Sequence, residues 1–350
     1  MRRFSTVAGT LAAASTLLAG CSAGTSALGV GSRLPTSASA GRAGAIAPSG
    51  TSGPRSAMLP RSLWPAPRAF TLHARPDVQK GYIFNSQANY SVVNYYQKGR
   101  GNVPVAGSFV AAFNFPQGVS SDTAGNVYVA NTGSADVFVF APGATSPTTT
   151  LNDPGQQPID VAVAKNGTTY VANIATSGGG PGSVSVYPPG TTNPSLTLRD
   201  DNFQEVVGIA LDKRGDVFVS YSNGQSSGSV AEFPARSQTA QETGIAIGFP
   251  GGVAFDKTGN LLVVDQFTGI LNVFTVGNSM PTAELTLPGD GCFIAFGTHD
   301  KTLYLADFQN ESIDVLDYAP TALTLVDQIT SGMNPYGNAL GIATTRQTTP

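Results

Sequence analysis

The sequence predicts an all-β fold, a six-bladed β-propeller of four-stranded blades, on three observations. A strand–turn–strand unit recurs along the chain, its period is that of one propeller blade, and the two chain ends supply complementary parts of a single blade. The clearest unit is Phe115–Phe140, FPQGVSSDTAGNVYVANTGSADVFVF. Gly118–Ser121 is a short apolar-led run, and Thr123–Asn126 is a tight turn with glycine available for positive φ. Val127–Ala130 and Val137–Phe140 are β-branched and aromatic runs of strand length. Pro147–Leu151 can add a fourth, outer strand.

The pattern returns at Ile159–Val163 with Thr169–Asn173, at Gly208–Asp212 with Val217–Tyr221, and at Gly252–Asp256 with Leu261–Asp265. A weaker copy pairs Ile294–Phe296 with Leu303–Asp307. The residues ending the second strands are Asn131, Asn173, Tyr221, Asp265 and Asp307, so successive units are 42, 48, 44 and 42 residues apart. At the front, Tyr82–Asn85, Val92–Tyr96 and Val103–Val110 read as second, third and fourth strands with no first. Leu340–Thr344 matches Gly118–Ser121 and is expected to be the innermost strand of the first blade. This 1+3 exchange removes the free sheet edges of a linear array.

The chain divides at three places. Met1–Gly20 reads as a signal peptide: Arg2 and Arg3 precede a short apolar stretch, Val7–Leu18, too brief to span a bilayer as a mature helix. Residues 21–74 are rich in Gly, Ala, Ser and Pro without apolar periodicity, and are expected to be a disordered tether. A tether of this length has an end-to-end distance of about 40 Å. Residues 75–347 form the propeller. Trp64 and His73 are assigned no site.

Composition narrows the function. Lys+Arg of 19 against Asp+Glu of 22 leave a net charge of −3 and no basic stripe, so nucleic acid is not an expected partner. Charged residues are only 12%, about half the usual share, and Gly, Ser, Thr and Asn carry the surface polarity. With two cysteines and two histidines, neither a disulfide framework nor a thiolate metal cluster is expected. Cys292 is expected to be a small buried residue without an intrachain partner once Cys21 is acylated. His299 sits at the opposite end of the same strand, so a Cys/His or Ser/His/Asp triad is not supported.

Two resemblances follow from quoted residues. Leu17-Leu18-Ala19-Gly20-Cys21 resembles a bacterial lipobox, which implies lipidation of Cys21, export, and anchoring in the cell envelope. Ser22 after the cysteine resembles an outer-membrane sorting signal if the cell is Gram-negative. PQGVSSDTAGNVYVANTG resembles an NHL-type repeat, whose pattern is roughly P-x-G-(apolar)-x-x-D-x-x-G-N-(apolar)-Y-V-A-D-x-x-N. Pro250–Asp265 is similarly close and Pro158–Asn173 looser. More distantly, the chain is similar to gluconolactonase-like propellers, which hold a divalent cation such as Ca²⁺ in the channel. In those relatives the ligands come from loops before the innermost strands. The matching positions here are Gln117, Ile159, Val207, Gly251, Cys292 and Leu340, none of them a carboxylate or Asn; the nearest carboxylates are Asp160, Glu205 and Asp290.

The candidate ligand-binding residues are the second-strand ends Asn85, Asn131, Asn173, Tyr221, Asp265 and Asp307. They are read either as an oxygen-rich funnel around the channel mouth or as turn chemistry fixing each hairpin. Asp265 and Asp307, on adjacent blades, are the candidate metal pair, although no cofactor is expected. On the same face, blades three and four carry longer loops, Asn173–Val184 and Tyr221–Val230, and such loops on a rigid scaffold often carry recognition. Arg214-Gly215-Asp216 spells an adhesion tripeptide but occupies a turn. The resulting expectation is a monomeric, lipid-anchored binding module for an envelope protein, peptide or glycan, with a cation-dependent hydrolase or lactonase as the alternative.

Overall fold

The computed structural model describes residues 81–99, 101–224, 227–297 and 301–345. The signal peptide, the tether, Trp64, His73 and His299 lie outside the described residues. Blade 1 contains β1 (Tyr82–Gln87), β2 (Val92–Gln97) and β3 (Val105–Ser108). Blade 2 is β4 (Pro116–Ser121), β5 (Val127–Asn131), β6 (Asp136–Phe140) and β7 (Thr149–Asn152). Blade 3 is β8 (Gln156–Val163), β9 (Thr169–Thr176), β10 (Ser183–Tyr187) and β11 (Leu196–Leu198). Blade 4 is β12 (Glu205–Leu211), β13 (Val217–Ser222), β14 (Gly228–Phe233) and β15 (Gln241–Ile247). Blade 5 is β16 (Pro250–Phe255), β17 (Asn260–Asp265), β18 (Ile270–Thr275) and β19 (Ala283–Thr286). Blade 6 is β20 (Gly291–Phe296), β21 (Thr302–Asp307), β22 (Ser312–Ala319) and β23 (Ala322–Ile329).

The last strand, β24 (Ala339–Thr344), pairs antiparallel with β1, so blade 1 has the order β24-β1-β2-β3. The expected closure is therefore present. Every blade is an antiparallel meander, and each blade's first strand lines the central channel.

The strands are apolar on both faces because each sheet is packed between two others. Blades 1 and 2 share an aromatic layer in which the rings of Phe109 and Phe140 stack at 3.8 Å. Blades 4 and 5 are joined by Phe218 edge-on to Phe255, and blades 5 and 6 by a largely aliphatic cluster around Leu262, Leu271 and Leu305.

The acidic residue of the D-x-x-G-N repeat works as a turn former. Asp256 Oδ1 accepts from the backbone N–H of Thr258 and of Asn260, both at 2.9 Å, and Asp122 Oδ1 accepts from Asn126 N–H at 2.9 Å. Gly259 (φ +96°) supplies the left-handed residue that such a turn requires. The Arg214-Gly215-Asp216 tripeptide occupies the same turn in blade 4, with Arg214 bridging Asp212 at 2.9 Å and Asp216 at 2.7 Å. That side chain is engaged within its own hairpin.

The meander places chain connections on two faces. The turns from second to third strand and the loops entering the innermost strands share one, called here the mouth face. The first-to-second turns, the third-to-fourth turns, and the chain segments at Gly81 and Thr345 share the far face.

Candidate functional site

Register, not residue type, decides which side chains are equivalent around the ring. In blade 2, Val119 pairs with Val129 and Pro116 with Asn131; in blade 6, Ile294 pairs with Leu305 and Gly291 with Asp307. In blade 1 the corresponding pairs are Ile342 with Asn85 and Ala339 with Gln87. The blade 1 member of the second-strand-end ring is therefore Gln87, two residues beyond Asn85. The short 3₁₀ turn Ala88–Tyr90 follows Gln87 just as Thr132–Ser134 follows Asn131. Asn85 instead lies deeper in the sheet, donating through Nδ2 to Gly341 O at 2.8 Å.

The ring residues are almost wholly buried, and most hold the loop that enters their own blade. Gln87 Oε1 accepts from Asn334 N–H at 2.9 Å, and its Nε2 donates to Gly332 O at 2.9 Å. Asn131 Oδ1 accepts from Asn114 N–H at 2.6 Å. Asp265 accepts from the N–H groups of Gly248, Phe249 and Phe267 at 3.0–3.1 Å. Asp307 accepts from Gln309 and Asn310 N–H at 3.0 Å and lies against Gly289 of the entering loop. Asn173 donates to Ser185 Oγ at 2.9 Å, and Ser185 donates to Asp153 on the entering loop at 2.7 Å. Tyr221 is the exception: its hydroxyl donates to Glu242 on the outer strand at 2.8 Å, and burial pushes it up to about 12. Each side chain thus acts as a staple between backbone segments. The oxygens of Asp307 are taken up by its own turn and those of Asp265 by its turn and the loop entering its blade, and among the described residues no group of three or more His, Cys, Asp or Glu could hold a metal ion.

The channel holds a different site from the one the ring suggested. Its half towards the far face is a cavity of about 220 Å³, lined from the six innermost strands by Ser121, Asp160, Ile209, Val253, Phe296 and Thr344 among others. Towards the mouth it meets the buried Ile159, Val207, Cys292 and Leu340, members of one contiguous apolar cluster. Asp160 is the carboxylate of the cavity wall. Its Oδ1 accepts from Val161 N–H at 2.8 Å and its Oδ2 from Ile209 N–H of the next blade at 3.0 Å. The equivalent residues in the other blades are Gly118, Gly208, Gly252, Phe293 and Gly341. Asp160 thus serves innermost-strand donors that lack a sheet partner on the channel side. The repeat pattern reads it as a displaced ligand; only its cross-blade hydrogen bond identifies this role.

Cys292 is buried on β20, as expected of a small core residue, and is disulfide-bonded here; the unpaired state expected of it is that of a chain whose Cys21 is acylated. The sequence's other cysteine, Cys21, lies outside the described residues. The long blade 3 loop is also more ordered than an insertion need be. Strand β9 continues past Asn173 to Thr176, paired with Gln156, and Gly182 N–H donates to Gln204 O of blade 4 at 3.2 Å.

Buried carboxyls set the pH response. Desolvation pushes Asp160 and Glu311 up to about 7 and Asp153 up to about 6, against backbone and side-chain donors that act the other way. Such a group keeps a proton in the folded chain that the unfolded chain has released near pH 4. Between pH ~4 and ~7 the folded state binds more protons, so stability falls as pH rises through that window. Thermal melts are expected to show a higher Tm at pH 5 than at pH 8, and Asp160→Asn should flatten the slope. A Tm that rises over this interval would contradict the assignment.

No family model matches the chain, and no curated protein matches it. Solved structures do share its fold. The chain is similar to one in the crystal structure of a Nidogen/Laminin complex, with TM-score 0.61, 15% identity, and 76% of this chain and 99% of that chain covered. It is similar to a protein of unknown function from Bacteroides caccae, with TM-score 0.56, 11% identity, and coverage of 76% and 99%. It is also similar to Kuenenia stuttgartiensis hydrazine synthase, with TM-score 0.52, 16% identity, and coverage of 76% and 80%. At these identities the likeness establishes the β-propeller architecture and nothing about chemistry.

Proposed function

We propose that the protein is exported, anchored through a lipid on Cys21 in the cell envelope (the outer membrane of a Gram-negative cell), and binds a protein, peptide or carbohydrate on its mouth face without a cofactor. One observation carries the binding reading: the ring side chains are spent on fixing the mouth loops, and those fixed loops hold large apolar side chains out in solvent. Phe267, two residues after Asp265, is 68% exposed, and Tyr336 is 79% exposed with its backbone in the left-handed region (φ +60°). Asn89 donates to Tyr336 O at 2.7 Å and Tyr90 to Pro335 O at 3.1 Å, so the strained loop is held from blade 1. Exposed aromatics on a rigid ring suit recognition better than turnover.

The test is ligand capture by the full processed chain from glycan and envelope-protein panels. Phe267→Ala with Tyr336→Ala should weaken a captured ligand by tenfold or more, in the range of interface anchors, while leaving Tm unchanged. Undiminished binding by the double variant would refute the face assignment. Metal content of the same preparation addresses the hydrolase alternative, which requires about one bound cation per chain. Intact mass addresses the anchor, because the Cys21 sulfur cannot carry a lipid thioether and a disulfide together. A lipid-bearing chain supports the anchor, and a lipid-free chain that keeps the Cys292 disulfide refutes it.

A further inference from the structure

The central channel is closed at one end and open at the other, and its innermost strands record the change residue by residue. On β4, Gln117, Gly118 and Val119 are buried, whereas Ser120 and Ser121 are partly exposed. On β20, Cys292, Phe293 and Ile294 are buried, whereas Ala295, Phe296 and Gly297 are partly exposed. Solvent therefore reaches the channel from the far face, where the cavity of about 220 Å³ lies. The cavity has room for several waters, or for a small organic molecule in their place.

The hydrogen-bond inventory of its wall is one-sided. Ser121 donates its hydroxyl to Thr344 O at 2.8 Å, and Thr344 donates its own to Phe296 O at 2.5 Å. The N–H groups of Val161 and Ile209 are taken up by Asp160. The two hydroxyls have no further proton to give, yet their oxygens can still accept. An ionised carboxyl offers about four lone-pair sites, of which the two backbone donors occupy two. Asp160 is 7% exposed and is the one titratable side chain on the wall. The lysines of the far-face turns, Lys165, Lys213 and Lys257, do not line it. Burial pushes Asp160 up to about 7, and a negative charge held there has no counter-charge on the wall to offset its desolvation.

We propose that the cavity binds a small organic molecule through a primary ammonium group, with Asp160 as its counter-ion. The site is separate from the mouth face, and neither reading depends on the other. An ammonium group is all donor and brings the charge that the wall lacks. It needs one lone pair from each neighbour, which Asp160 can give while keeping Ile209 N–H, and the oxygens of Ser121 and Thr344 are further acceptors on the same wall. A guanidinium fork works best on two carboxylate oxygens at once, and both oxygens of Asp160 already hold a backbone N–H. A Ca²⁺ ion takes six to eight oxygen ligands, whereas this wall has a single carboxylate, engaged twice. Phe293 and Phe296 border the cavity and supply apolar surface for the carbon skeleton of such a molecule.

Isothermal titration calorimetry of the full processed chain with n-butylamine tests this, with n-butanol as the neutral analogue. At pH 8 the amine should bind once per chain, and the alcohol about tenfold more weakly or less. Asp160→Asn should weaken the amine by about tenfold, the weight of a hydrogen bond to a charged group. An aliphatic amine stays protonated between pH 6 and pH 8, while Asp160 passes from about one-tenth to about nine-tenths ionised. Affinity should therefore rise about tenfold over that interval. Should the variant fold poorly, this pH profile of the unaltered chain decides alone. No binding of the amine would overturn the proposal and leave water in the cavity. Equal binding of amine and alcohol, or a flat pH profile, would overturn the role of Asp160. Displacement of the amine by calcium chloride would overturn it in favour of a metal ion. Amine binding that survives Asp160→Asn but is lost in Phe267→Ala with Tyr336→Ala would move the amine to the mouth face and overturn the cavity assignment.

Discussion

Replacing Gly341 by alanine is expected to lower Tm by roughly 6–12 °C, the equivalent of about 3 kcal/mol in a domain of this size. The glycine lies on β24, whose backbone runs against β4 of the next blade. A Cβ there would stand 2.1 Å from Gln117 O, 2.7 Å from Ser86 Oγ and 2.8 Å from Val119 N. Two of these neighbours are backbone, so relief requires moving a strand of the channel wall. Ser86 Oγ also donates to Gln117 O at 2.5 Å and accepts from Gly341 N–H at 2.8 Å, so displacement breaks the bridge joining blades 1 and 2. Gly190→Ala is the control. Nothing lies within 4 Å of its Cβ position, yet its φ is +77°, so it should cost only ~1–2 kcal/mol of backbone strain. The comparison separates close approach from conformation. If both variants melt together near the parent, the inner ring is not close-packed as described.

The same ring shows how far sequence reasoning reaches. Blades are legible because each strand is an apolar run bounded by a glycine turn, and the missing first strand could be found by its likeness to Gly118–Ser121. Register is less legible. Asn85 has the residue type of the ring, but Gln87 has its place, and only pairing with Ala339 distinguishes them. In blade 1 the stretch Asn85-Ser86-Gln87 offers several turn-forming polar side chains, so composition cannot choose among them. Asp160 is visible in the sequence as a carboxylate near the channel, whereas its bond to Ile209 N–H links residues 49 apart and leaves no local pattern. Charge behaves likewise. A net value of −3 averages residues 1–80, with nine Lys/Arg and one acid, and residues 81–350, with ten Lys/Arg and 21 Asp/Glu.

A chain ending at Asn338 is expected not to form the native propeller. The truncation removes all of β24, six residues that are buried throughout. Leu340 and Ile342 alone contribute about 1.5–3 kcal/mol each by burial, and Ala339 and Ala343 add to this. The loss of contacts is only part of the cost. Without β24, the innermost strand of blade 1 is missing, β1 presents a bare edge to the channel, and β4 and β20 lose the strand between them. Stability of a whole domain is only about 5–15 kcal/mol, so losing a strand that closes the ring consumes most or all of it. Removal of residues 346–350, by contrast, leaves every described strand intact and should not change Tm. Far-UV circular dichroism and a cooperative melt read both outcomes. The test that matters is addition in trans: a peptide spanning 337–345 should restore a cooperative melt to the truncated chain, because the vacant edge of β1 specifies its register through Ile83–Thr344, Phe84–Ala343 and Asn85–Ile342. A truncated chain that melts like the parent without the peptide would mean that the ring does not depend on strand exchange for closure.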